Sequence, residues 1–101
     1  MSAEVSVHDV GPLLAEGALL LDVREDDEWA SGHVPDALHL PMSRIRGDVD
    51  RLPPDRLILY ICHVGQRSAM VADALEGAGY DAVNVAGGMQ AWESAGLQVV
   101  S

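Results

Sequence analysis

Residues 57–61, Leu-Ile-Leu-Tyr-Ile, form an unbroken apolar run between Pro53-Pro54-Asp55 and the turn Cys62-His63-Val64-Gly65-Gln66-Arg67-Ser68. A strand with water on one face alternates apolar and polar residues. A run without alternation is covered on both faces, as in the middle of a parallel sheet. After the turn, residues 69–75, Ala-Met-Val-Ala-Asp-Ala-Leu, read as helix. A buried strand feeding a helix through a short turn points to an α/β fold. It also places the chain's one cysteine at the carboxyl end of that strand. Amide N–H groups of such a turn face inward without partners, and with the helix N-terminus they form a concave site for an anion. A thiol there ionises readily, because the thiolate is the anion the site favours. A lone cysteine can equally be a small buried hydrophobe. The turn, Gly65 and Arg67 favour function over that reading.

The rest of the chain supplies the other layers. Residues 4–7 are expected to give a very short edge strand. Val10, Leu13 and Leu14 show helical spacing up to Gly17, although Gly11-Pro12 weakens the helix at its start. Residues 18–23 are a second apolar run and a second buried strand, with Asp22 and Arg24 at its carboxyl end, the edge where open parallel sheets place ligands. Glu25-Asp26-Asp27-Glu28 could attract a hard cation, but acidic residues opening a short helix through Trp29 and Ala30 also fit the helix dipole. Gly32 ends that turn. Residues 37–40 make a strand from which His39 points to the surface. Residues 41–45 open a short helical segment and 46–51 a charged, mobile link, whose Arg46-Gly47-Asp48 is a chance match to an adhesion tripeptide. The helix after the turn is mostly buried, with Asp73 and Glu76 as a narrow polar stripe, and Gly79 closes it. Residues 82–85 give a strand, Gly87-Gly88 turns into a helix over 89–94 with Trp92 as a core anchor, and 97–100 are a final short strand.

The 101 residues suit a single domain spanning 1–101. Six Arg, no Lys and sixteen acidic residues give a formal charge of -10, a surface that repels phosphate backbones and anionic membranes. Neither nucleic acid nor membrane is expected as a partner. One cysteine allows no internal disulfide and no Cys-x-x-Cys pair, and no histidines stand at metal-ligand spacing, so no metal or cofactor is expected. A free reactive thiol, with no spanning segment and no signal-like amino terminus, suits the cytoplasm.

Cys62-x-x-Gly65-x-Arg67-Ser68 resembles the active-site loop of the rhodanese-type sulfurtransferases. Asp22-Val23-Arg24, Glu28 and Gly32-His33-Val34-Pro35 resemble that family's first signature, Leu38-His39-Leu40-Pro41 the strand after it, and Gly87-Gly88 with Ala91-Trp92 its carboxyl-terminal signature. The order and spacing hold from about residue 5 to residue 100. The resemblance implies a parallel sheet of about five strands with helices on both faces, and sulfane sulfur transfer through a Cys62 persulfide. The donor would be a small anion such as thiosulfate, and the acceptor a thiol, cyanide or a thioredoxin-like protein. The protein would be a monomer or weak dimer. Asp36 stands where the family has glycine, and its tolerance of left-handed backbone is expected to preserve the turn.

In this reading Cys62 is the nucleophile and residues 63–68 bind substrate. Gly65 bends the loop, Ser68 donates to it or caps the helix, and His63, Val64 and Gln66 line the entrance. Arg67 either meets the donor or pairs with Asp22 or Glu28. His63 invites a Cys–His dyad, but neighbours on a tight loop splay apart. Asp22, Arg24, Glu28 and His33 are structural. Phosphatases and arsenate reductases of similar fold use Cys-x5-Arg; here position 68 is serine, and the shorter loop suits one sulfur atom better than a phosphate. A sulfur relay to a partner protein, or a non-catalytic binding module, remain the alternatives.

Overall fold

The computed structural model describes residues 3–101. In chain order these are β1 (Ala3–Val5), α1 (Val7–Ala15), β2 (Leu19–Asp22), α2 (Asp26–Ser31), β3 (Leu38–His39), α3 (Ile45–Asp48) with a 3-10 turn (Val49–Arg51), β4 (Ile58–Ile61), α4 (Gln66–Gly77), β5 (Ala82–Val85) and α5 (Gly88–Ser94). The strands pair in parallel in the order β1-β5-β4-β2-β3, so the apolar run is the central strand. All four β4 residues are buried. Their side chains alternate between two cores: Ile58 and Tyr60 join Val71, Ala72 and Leu75 of α4, while Leu59 and Ile61 join Val7 and Val10 of α1 and Met89 and Trp92 of α5. Burial on both faces is why the run lacks alternation.

Ser6 caps α1: its side chain accepts from the His8 N–H and Asp9 accepts from the Ser6 N–H. That reciprocal cap carries the helix through Gly11-Pro12, so it begins at Val7.

Several expectations are corrected. Residues 97–100 are not a strand of the sheet; only Val100 pairs, by an antiparallel bridge to His33. The chain leaves α5 through Gly96, at φ +74°, and meets the loop after α2 instead of a strand edge. Residues 46–51 are helical, not a mobile link. α4 is less buried than expected: Ser68, Val71, Ala72 and Leu75 face inward, but Met70 is 61% exposed. The turn at Asp36 needs no left-handed residue, since among the described residues no non-glycine has positive φ, and the Ala37 N–H closes it on the Val34 carbonyl. His39 is not a surface residue: it stacks on Trp29, and its ring donates to the Arg24 carbonyl at 2.8 Å. β3 has two residues, too few for alternation to tell one face from another.

Candidate active site

Cys62 follows the last residue of β4, and its side chain is 1% exposed. Burial by itself would place the thiol in hydrocarbon, but the loop turns polar hydrogens onto the sulfur. The Gly65 N–H lies 3.2 Å from Sγ, the Ser68 N–H 3.4 Å and the Ser68 hydroxyl 3.2 Å. Burial pushes the thiol pKa up; the Ser68 hydroxyl and the backbone N–H groups of Ser68, Gly65 and Arg67 outweigh it, and the net shift is downward.

Two features shape this loop. Gly65 sits at φ +98°, and a Cβ there would crowd the Gly87 nitrogen at 3.1 Å, so the reversal requires glycine. The outward carbonyls of Cys62 and His63 accept from the Met89 and Gln90 N–H groups at 2.8 and 2.9 Å. α5 therefore grips the loop from behind while the loop's own N–H groups turn to the sulfur. Gly88 lets that grip close: a Cβ on it would overlap the Cys62 carbonyl oxygen.

Arg67 meets both carboxylate oxygens of Glu28, at 2.6 and 2.7 Å. The Arg67 guanidinium holds the Glu28 carboxyl well below its ordinary value, at about 2. Of the pairings open to Arg67 in the sequence, this is the one formed, and it satisfies the cation at the lip within the protein. Asp22 and Arg24 form a buried pair: Asp22 accepts from the Arg24 backbone and side chain, and Arg24 Nη2 also donates to the Gly32 carbonyl at 2.7 Å. The pair ties the end of β2 to the turn after α2. His33 also stacks on Trp29, with centroids 3.5 Å apart, and its Nδ1 bonds the Trp29 carbonyl.

His63, Val64 and Gln66 are exposed around the loop, and no hydrogen bond joins the His63 ring to the sulfur among the described residues. A cavity of about 330 Å³ beside them is lined by Arg24, Glu28, His63 and Glu93, among others. A larger apolar groove of about 560 Å³, between α3 and α4, touches none of residues 62–68. Among the described residues no three His, Cys, Asp or Glu side chains are grouped to hold a metal, and no helix is long and apolar enough to cross a membrane.

Sequence reasoning missed Asn84. It is fully buried in β5 and bonds Ser68 Oγ through its Oδ1 at 2.6 Å, while its Nδ2 reaches Glu4 Oε2 at 2.9 Å and the Gly65 carbonyl at 3.2 Å. The available signal was one amide in the otherwise apolar segment Ala82-Val83-Asn84-Val85. A buried side chain of that kind needs partners.

Residues 6–95 match the family described as Rhodanese-like domain. A protein of Allochromatium vinosum named sulfurtransferase is 40% identical over 87 residues, 85% of this chain and 81% of that one. The thiosulfate sulfurtransferase GlpE of Actinobacillus pleuropneumoniae is 34% identical over 98 residues, 95% of this chain and 91% of that one. The crystal structure of a rhodanese-related protein from Thermoplasma volcanium superposes with a TM-score of 0.90 at 31% identity, covering 97% of each chain.

Proposed function

The chain belongs to the rhodanese-like family, and from that membership we propose that it is a sulfurtransferase in which Cys62 carries the transferred sulfur as a persulfide. The observation that carries this reading is the convergence of the Gly65 and Ser68 N–H groups and the Ser68 hydroxyl on one sulfur at a strand-to-helix turn. The backbone N–H groups among these donors are fixed in place before reaction and stabilise anionic sulfur without reorganising.

The Cys62 thiolate attacks the outer sulfur of the donor. A bond from Sγ to that sulfur forms, and the donor's own sulfur–sulfur bond breaks. With thiosulfate the electron pair leaves on sulfite. An acceptor thiolate or cyanide then attacks the outer sulfur of the persulfide, and the Cys62 thiolate departs with the electron pair. This is covalent catalysis in two half-reactions. His63, Val64 and Gln66 form the entrance that admits the donor's terminal sulfur, and the site acts on cytoplasmic substrates. Thiocyanate formation from thiosulfate and cyanide tests the reading. The wild type is expected to turn over and Cys62→Ser to be silent; equal rates in both would refute the assignment.

A second reading, a relay that takes sulfur from a persulfide and hands it to a partner protein, is favoured by one observation. Glu28 neutralises Arg67, and a body of formal charge -10 offers a dianionic donor little attraction. A kcat/KM for a low-molecular-weight persulfide far above that for thiosulfate would select the relay.

A further inference from the structure

Ser68 Oγ lies 2.6 Å from Asn84 Oδ1 and 3.2 Å from Cys62 Sγ. A hydroxyl has one hydrogen to give. The orientation of Asn84 follows from its surroundings: the positions taken by its Nδ2 face the Glu4 carboxylate and the Gly65 carbonyl, two acceptors that would repel a carbonyl oxygen. Oδ1 therefore faces Ser68. Ser68 and Asn84 are both 0% exposed, so no solvent replaces the hydroxyl if it turns away.

We propose that Asn84, held by Glu4 and the Gly65 carbonyl, is a positioning residue that competes with Cys62 for the single Ser68 hydroxyl proton. With a neutral thiol all three side chains are partnered: Sγ–H points to Ser68 Oγ, and the hydroxyl donates to Asn84. When the thiol ionises, the hydroxyl has two alternatives. It turns to the sulfur and leaves Oδ1 bare, or it stays and presents a lone pair to the thiolate. Both penalties fall on the ionised form alone. Asn84 thus tempers the acidity that the loop N–H groups confer. Such moderation suits a sulfur that must attack and later depart, because nucleophilicity falls along with the thiol pKa.

The other charged or titratable groups near the site are Arg67 of α4, bonded to Glu28 of α2, the Asp22–Arg24 pair at the end of β2, and His63 and Glu93 beside the loop. None bonds Ser68 or Asn84 among the described residues. The biological purpose of the competition rests on Cys62 being the nucleophile, but the competition itself is read from the thiol alone. Its failure and the failure of the sulfurtransferase reading are therefore distinguishable.

The test is a pH titration of the ultraviolet thiolate absorbance of the full chain, taken as a difference against Cys62→Ser. Asn84→Ala is expected to lower the Cys62 midpoint by about 0.5–1 unit, raising the thiolate fraction several-fold at pH values below it. In a Ser68→Ala background the same change is expected to shift nothing, because Asn84 acts only through that hydroxyl. A merely structural or Coulombic effect would persist there. Should Asn84→Ala fail to fold by circular dichroism, Glu4→Ala carries the same cycle from an exposed position, with a smaller shift in the same direction. An unchanged or raised midpoint in the folded variant, or an equal shift with and without Ser68, overturns the proposal.

Discussion

Arg67 of α4 and Glu28 of α2, 39 positions apart in the chain, meet through two hydrogen bonds of 2.6 and 2.7 Å beside the Cys62 loop. The pair is half-buried. It joins α2 to the helix that follows the loop, and it uses the positive charge at the lip of the loop for structure.

Releasing that charge should change how the site treats an anion. Glu28→Gln is expected to lower KM for thiosulfate by roughly threefold to tenfold, as for a partly screened ion pair, with the gain shrinking at high salt. Steady-state kinetics at two ionic strengths check this. A KM that stays level or rises would mean that Arg67 does not meet the donor.

The same pair gives a pH signature. Glu28 has a folded-state pKa of about 2, below its ordinary 4.5, so its contribution is fully present above pH 4.5 and is lost as the pH falls towards 2. After allowance for solvent screening, that contribution is on the order of 1–2 kcal/mol. Urea unfolding should therefore show Arg67→Gln less stable than wild type at pH 6, with the difference closing below pH 3. A gap that holds constant across that range would contradict it.

Gly88 is the residue on which the grip of α5 depends. A Cβ there would come within 2.7 Å of the His63 carbonyl oxygen, at a φ of +54° that side chains seldom adopt. Gly88→Ala is expected to cost about 2–4 kcal/mol and to raise the Cys62 midpoint as the loop N–H groups lose their aim. Urea unfolding and thiol titration of this one variant check both effects. A variant as stable as wild type would show that the loop is held by other means.

The features legible in the sequence are those written in local patterns. The uninterrupted run 57–61 declared its burial on both faces, and the position of Cys62 followed from where that run stops. Gly65 announced a reversal at which the structure has φ +98°. What stayed hidden depends on pairs distant in the chain. Nothing local says that Arg67 turns to Glu28 instead of outward. Nothing local says that Asn84 links Glu4, 80 positions away, to Ser68, 16 positions away. The tail misled for the opposite reason: Leu97-Gln98-Val99-Val100 has strand-like composition, but strand formation needs an open edge, and only Val100 found a partner, in His33.

The central claim is that backbone N–H groups and one hydroxyl hold anionic sulfur on Cys62. Intact-mass measurement after exposure to thiosulfate or a low-molecular-weight persulfide tests it most directly. The account predicts a gain of one sulfur atom on the wild type, removed by cyanide and absent from Cys62→Ser. A wild-type mass that neither donor changes, or a gain that persists in Cys62→Ser, would contradict it.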